Sequence, residues 1–364
     1  MYDLKFAVVG AGHGGKAIAA HLAIKGFTVN LYNRTFSRIQ PIKKMRGIEL
    51  EGEVKGFGKL NIVTSDIEKA IRGVDVIMVV VPANGHNYVA RICAPFLNEN
   101  QVVVLNPGRT CGALEFLNVL REEGNQKDIV IAEAQTFIYA SRGMGPAAVK
   151  IFRIKQAIPV AAIPSRKTEM VVEKLNVAFP EFIPAASVIE TSFNNMGAVF
   201  HPSITILNLS RIESTLGNFQ FYIEGVTQSV AKILDAVDKE RVMVARKLKC
   251  ARVYSAIEWL SMAYNVVEDN LFDAIHSNPG YVGIMAPKTI NVRYITEDVP
   301  MSLVPISEFG KIFGLKTKVI DSLIDIANSI FKKDFRESGR NLSRLGLEGL
   351  DLSQIRNILI KGKK

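Results

Sequence analysis

Three observations in this 364-residue sequence predict an α/β fold, a doubly wound parallel sheet followed by an all-α domain. Short apolar runs rich in β-branched residues alternate with helical patterns through the first half, as parallel strands covered on both faces do. A glycine-rich turn joins the first of these strands to the first helix. After Thr191 apolar residues recur at three- and four-residue steps, and no β-rich region follows. The chain is long for one core, so two domains are expected, 1–188 for the sheet and 189–364 for the helices.

Composition narrows the class. Hydrophobic residues make up 48% and charged residues 22%, the balance of a folded globular chain. The three cysteines, Cys93, Cys111 and Cys250, are too scattered for a disulfide framework or a zinc site. A reducing, cytoplasmic setting and no bound metal are therefore expected. The longest apolar run, Val74–Pro82, is strand-sized, so no membrane partner is expected. The net charge of +10 is spread beside acids, apart from Lys43-Lys44-Arg46 and Lys361-Gly362-Lys363-Lys364. Such a surface is solvated and draws in small anions; it does not form a nucleic-acid stripe.

The first elements are explicit. Phe6–Val9 is an apolar run that ends in Gly10-Ala11-Gly12-His13-Gly14-Gly15. Helix formers follow from Lys16 to Lys25, with Ala17, Ala20, Leu22 and Ile24 available to face a sheet; Gly26 stops the helix and Thr28–Tyr32 reads as the second strand. Strand, turn, helix and strand in this order are the setting that G-x-G-x-x-G requires in a Rossmann dinucleotide-binding domain. Gly10 permits the tight turn, Gly12 lets backbone approach a pyrophosphate, and Gly15 lets the helix lie close. The helix amides and dipole favour the phosphates, so Gly10, Ala11, Gly12, His13, Gly14 and Gly15 are assigned to the cofactor. Where an NAD site places an acid, this chain has Asn33-Arg34-Thr35, with Arg38 a helical turn on. A guanidinium there can bind a 2′-phosphate, so NADP(H) is the preferred cofactor and NAD(H) the second.

The remaining first-half strands read as Val74–Pro82, Gln101–Leu105 and Ile129–Ala132, with helices at Asn87–Leu97 and Cys111–Glu122 between them. Pro82, Asn106 and Gly108 fall in loops at carboxyl ends of strands, where such sheets place ligands. Alternation in Gly47–Val63 suggests an antiparallel excursion. Val149–Ile154 and Ala157–Ile163 are expected to extend the sheet, and a helix at Lys167–Phe179 and a strand near Ala186–Glu190 to close the domain.

In the second half, Phe219–Leu248, Leu248–Val267 and Val319–Phe331 read as helices. A dehydrogenase needs a proton donor and acceptor, and histidine suits neutral pH. His13 lies in the phosphate turn, His21 on the first helix, His86 in a cofactor-side loop and His276 in a loop at Ser277–Gly280. His201 precedes Pro202, which is expected to bend or restart the helix and re-aim the imidazole; a core or cap histidine is the alternative. Arg293-Tyr294-Ile295-Thr296-Glu297-Asp298 holds an Arg able to fork onto a carboxylate and acids able to orient an imidazole, or else an ordinary ion-pair cluster.

Together these residues resemble the opine dehydrogenase family, which includes octopine, nopaline and N-(1-carboxyethyl)-amino-acid dehydrogenases in the 6-phosphogluconate dehydrogenase C-terminal-like superfamily. The resemblance runs from the Gly10 turn to about Pro305 and rests also on Val81-Pro82-Ala83, Leu105–Gly108, Asn194–Pro202, Phe221–Gly225 and Arg293–Pro300. It implies NAD(P)H-dependent condensation of an amino acid with a 2-oxo acid and reduction of the imine to a secondary amine. It further implies His201 as general acid and base, Asp298 as its orienting partner, and Arg293 and Asn195 as substrate-binding residues. The alternative in the same superfamily is a 2-oxo or 2-hydroxy acid reductase of the ketopantoate reductase or glycerol-3-phosphate dehydrogenase type. The expected partners are small-molecule substrates, and the long amphipathic helices leave room for a homodimer.

Overall fold

A computed structural model describes residues 4–363. The chain forms two compact units, one taking it up to Thr191 together with the C-terminal segment from Ser353, the other Ser192–Leu352. The expected division at 189–364 is thus corrected at its far end. The C-terminal helix Leu352–Lys361 belongs with the first unit, where Arg121 donates to the Gly362 carbonyl and Lys363 lies 3.4 Å from Asp128.

In the first unit, β1 (Lys5–Val9), β2 (Thr28–Tyr32), β3 (Gly47–Gly52), β4 (Gly56–Lys59), β5 (Ile62–Thr64), β6 (Val76–Val79), β7 (Val102–Leu105), β8 (Val130–Ala134), β9 (Tyr139–Gly145), β10 (Ala148–Ile154), β11 (Ile158–Ile163) and β12 (Phe182–Pro184) form two sheets. The larger has the order β12-β11-β8-β7-β6-β1-β2-β5, parallel except that β11 runs against β8. The chain steps outward from β1 to β2 and β5, then returns to build β6, β7 and β8 on the other side. This reversal makes a switch point between β1 and β6. Every residue of β6 and β7 is buried, which explains their unbroken apolar runs.

The helices of this unit are α1 (His13–Ile24), α2 (Phe36–Met45), α3 (Ile67–Ile71), α4 (His86–Cys93), α5 (Gly112–Glu122), α6 (Thr168–Asn176) and α7 (Val188–Phe193), the last crossing into the second unit. Two strand expectations differ. Val149–Ile154 does not extend the main sheet but joins the smaller one, of order β4-β3-β10-β9, because its alternating side chains suit a sheet covered on one face. Ala186–Glu190 does not form a strand: the Glu190 carboxylate accepts from the Ala186 N–H and starts α7.

α1 lies between the two sheets, touching β1 and β2 on one side and β3, β4, β9 and β10 on the other. Its residues from Gly15 to Leu22 are consequently all buried, beyond the single sheet-facing stripe expected from sequence. Alanines at 17, 19 and 20 leave room for both layers. The sandwiched helix carries polar residues that must find partners. Lys16 donates to the carbonyls of Gly145 at 2.7 Å and Pro146 at 3.2 Å. His21 Nδ1 lies 2.5 Å from the Tyr139 hydroxyl, with Phe179 edge-on to its ring.

The second unit contains α8 (Gly197–Leu207), α9 (Leu209–Thr215), α10 (Gln228–Lys247), α11 (Ala256–Tyr264), α12 (Leu271–His276), α13 (Arg293–Thr296), α14 (Val304–Ile312), α15 (Lys318–Phe331) and α16 (Phe335–Ser338). The expected helix over Phe219–Leu248 begins only at Gln228, where the Thr227 hydroxyl caps Val230 N–H, and Gln220 instead bridges Met285. The next expected helix, from Leu248, starts at Ala256 in a Ser255–Glu258 capping box, because Lys249 with φ 55° breaks the chain after α10. His276 ends α12 and does not lie in a loop. Pro202 sits inside α8 without restarting it. The fully buried Arg241 pairs with Asp238, whose second oxygen accepts from Ala256 N–H at 2.7 Å, so one ion pair joins α10 to the start of α11.

Burial lowers the His21 pKa to about 4, the Lys25 charge adding to the effect. The folded state keeps the ring neutral, while the unfolded ring takes up a proton below about 6.5. Stability from this group is therefore present above pH 6.5 and lost as pH falls towards 4, by up to about 3 kcal/mol. His21→Gln should remove that part of the pH dependence when urea midpoints at pH 7 and pH 4.5 are compared; an unchanged difference would show that His21 does not contribute.

Candidate functional site

Strand register gathers the residues that the sequence assigns to the cofactor. Val9 pairs with Tyr32 and Val79, and Val79 with Leu105. The residues that follow each strand therefore lie along a single carboxyl edge: the Gly10 turn, Asn33-Arg34, Pro82, and Asn106 to Gly108. Sequence-assigned residues from four separate segments are brought together by this alignment alone.

The turn is built tightly. Gly10 has φ 113°, and a Cβ there would stand 2.4 Å from the Val80 carbonyl oxygen. A Cβ on Gly15 would lie 1.8 Å from the Gly10 carbonyl oxygen, so α1 could not approach with any larger residue. A Cβ on Gly12 would meet nothing within 4 Å; the space above the turn is open. The first intrahelical bond runs from Lys16 N–H to the Gly12 carbonyl at 2.9 Å, so the amides of Gly12 to Gly15 precede it and face that space. Close backbone, open space and a helix N-terminus fit a pyrophosphate. His13 is the first residue of α1 and is exposed, its ring beside Gly143.

Asn33 Oδ1 accepts from Ala11 N–H at 3.2 Å, and its Nδ2 donates to the Thr35 carbonyl at 3.0 Å. The amide thus occupies the acid's place and turns its oxygen towards the glycine turn. Arg34 is exposed, with its guanidinium 5.2 Å from the centre of the Tyr88 ring. Burial and a hydrogen bond donated to Tyr88 raise the Tyr32 phenol, so the ring beneath Arg34 is itself anchored to β2. Sequence reasoning missed Tyr88; it lies on α4, and only the neighbouring strands bring it to Arg34. Arg38 is exposed on α2. Asn106 is buried and donates to the Val104 carbonyl at 2.9 Å, holding its own loop. At Gly108 a Cβ would meet the Glu133 carboxylate at 2.4 Å.

The second unit holds the acid and base candidates. His201, on α8, has Nδ1 2.9 Å from Asp298 Oδ2; the His201 side chain is 20% exposed and the Asp298 side chain 0%. Tyr294 stacks on the imidazole with ring centres 4.3 Å apart, and Phe221 backs Tyr294 at 5.0 Å. Tyr294 and Asp298 are four residues apart, on one face of the turn that begins α13, so that face holds the ring by its edge and its plane together. Asp298 was expected as the partner of His201 from the family resemblance; the stacking of Tyr294 on the same ring was not. Val299–Leu303 then forms a π-helical turn, a frequent feature of functional sites.

The other face of the same turn pairs Arg293 Nε with the buried Glu297 carboxylate, leaving the Arg293 side chain 59% exposed. Asn195 is buried and donates to the Ser302 hydroxyl at 3.0 Å, tying the start of α8 to the π-helical turn. Among the described residues no cluster of His, Cys, Asp or Glu could hold a metal ion, and no helix is long and apolar enough to cross a membrane.

Comparison with known proteins places these features. Residues 184–331 match the family described as NAD/NADP octopine/nopaline dehydrogenase, alpha-helical domain, and residues 5–144 the NAD-dependent glycerol-3-phosphate dehydrogenase N-terminus. The chain is 38% identical to an opine dehydrogenase of Arthrobacter sp. (strain 1C), over 97% of this chain and 98% of that protein. In fold it is similar to octopine dehydrogenase in complex with NADH and agmatine, with a TM-score of 0.82 at 21% identity over 99% and 98% of the two chains. It is also similar to yersinopine dehydrogenase with NADP+ bound, with a TM-score of 0.76 at 14% identity over 99% and 98%. The glycine turn, the helical unit and the full-length likeness agree: the chain belongs to the opine dehydrogenase family, NAD(P)-dependent dehydrogenases acting on CH–NH donors.

Proposed function

We propose that this protein is an NADP(H)-preferring opine dehydrogenase that condenses an amino acid with a 2-oxo acid and reduces the product to a secondary amine. The observation that carries the reading is the His201–Asp298 pair with Tyr294 stacked on the ring, in a helical unit of this family. When bound, the nicotinamide supplies the hydride. The chain's own residues hold the reactants and manage the protons.

Asp298 accepts from Nδ1 and fixes the imidazole orientation, so Nε2 is the nitrogen that exchanges a proton with substrate. In its protonated form His201 polarises the keto oxygen and assists loss of water, and in its neutral form it serves the reverse reaction. Tyr294 keeps the ring from rotating out of this line. Arg293 gives Nε to Glu297 and offers both Nη groups to a substrate carboxylate. Asn195, expected to bind substrate, is instead buried against Ser302 and acts one step back, fixing the π-helical turn that follows Asp298.

His201→Ala is expected to leave NADPH binding intact while turnover falls by roughly two to four orders of magnitude. Asp298→Asn should lower turnover in the same range while circular dichroism and NADPH binding stay unchanged. Unaltered turnover in either variant would remove the acid–base assignment. The reaction itself is tested by following NADPH oxidation with pyruvate, glyoxylate or 2-oxoglutarate crossed with a panel of amino acids. Consumption that requires both components supports this reading; consumption with the 2-oxo acid alone supports a simple 2-oxo acid reductase.

Cofactor choice rests on Arg34, since the fold neighbours bind NADH in one case and NADP+ in another. A guanidinium stacked on Tyr88 at the end of β2, with no carboxylate at Asn33, suits a 2′-phosphate. Arg34→Ala should raise KM for NADPH by roughly 10- to 100-fold, the loss of a charge-assisted hydrogen bond, and KM for NADH little. Equal effects on the two cofactors would refute the assignment.

A further inference from the structure

We propose that a cavity of about 830 Å³ in the first unit binds a small, multiply charged phosphate-bearing anion, at a place separate from the cofactor half-site. It is lined where the chain enters β7 and β8 and leaves β11, by one face of α6, and by residues 361–363. This is the amino edge of the parallel strands. The glycine turn lies at their carboxyl edge, about 15 Å away along strands of four or five residues.

Charge identifies the ligand class. Seven Lys and Arg side chains line the cavity against two acids, Glu99 and Asp128, in a chain whose net charge is +10. Some of the cations are engaged. Arg121 donates to the Gly362 carbonyl, Lys127 to Leu97 O and Asn98 Oδ1 at 3.0 and 2.9 Å, and Lys363 lies 3.4 Å from Asp128. For Arg166, Lys167, Lys174 and Lys361 no ion pair forms among the described residues. Lys167, Met170 and Lys174 are spaced by three and four residues, so α6 turns one face to the cavity.

Two of the cations are placed against helix electrostatics: Arg166 and Lys167 stand at the N-terminus of α6, the positive end of its dipole, next to Glu169 in its first turn, while Lys174 lies in its last turn. An anion would relieve the repulsion among these groups, and the concave, nucleotide-scale volume suits a compact ligand better than a flat polymer. Several unpaired cations of both types, with the forked geometry of Arg166, match the oxygens of a di- or triphosphate.

The test is titration calorimetry of the full chain with inorganic tripolyphosphate in 150 mM NaCl. The expected result is a saturable one-to-one isotherm that weakens at least ten-fold in Arg166→Gln/Lys174→Gln. Saturating NADPH, which fills the cofactor half-site, and Lys232→Gln/Lys247→Gln, an equal charge change in the second unit, should leave it unchanged. Absence of saturable binding would overturn the proposal. So would loss under saturating NADPH with the cavity variant unaffected, which would put the phosphate on the glycine turn, and so would equal loss in both double variants, which would reduce the effect to net charge. A duplex DNA that displaces tripolyphosphate from the wild type and binds more tightly would replace the small anion with a nucleic-acid surface.

Discussion

The passage of α1 over the Gly10 carbonyl is the constraint on which the first unit depends. With no side chain on Gly15, the helix starts directly against the end of β1, and its first amides open onto the space above Gly12. The same helix is then pressed between two sheets, which buries it from Gly15 to Leu22. Its polar side chains are satisfied from the smaller sheet, Lys16 by the β9–β10 turn and His21 by Tyr139. The β3–β4 and β9–β10 hairpins are in this sense an outer wall: they hold the helix whose N-terminus is the proposed seat of the pyrophosphate.

An equally local device governs the helical unit. One turn of chain around α13 carries four side chains with two targets. Tyr294 and Asp298 meet the His201 ring, and Arg293 is held by Glu297. Burying Asp298 completely beside a partly exposed imidazole gives the pair a fixed geometry on one side and access on the other. The π-helical turn that follows, tied to α8 through Asn195 and Ser302, keeps this turn from sliding along its neighbour.

Charge is distributed unevenly for a reason that composition does not show. The excess of Lys and Arg looks like a solvated coat, yet the fold collects a large share of it around one cavity at the amino edge of the sheet. The C-terminal Lys-Gly-Lys run contributes because the last helix returns to the first unit, packing Gly362 beside Ile163 and Arg121.

The sequence by itself determined the α/β order, the glycine turn and the helical second half, because these are written in local periodicity and in glycines that only one turn requires. It also marked the segments around His201 and Arg293, through motifs whose spacing survives in a single chain. What it could not show is what depends on distant partners. Val149–Ile154 went to a second sheet because β3, a hundred residues earlier, offers it an edge. Tyr88 reaches Arg34 only through the register of β1, β2 and β6, and Tyr294 joins the expected pairing of His201 with Asp298 only when α8 brings the imidazole against it. Pro202 shows the same limit: a residue that locally argues for a break is carried inside a continuous helix once the surrounding packing holds it there.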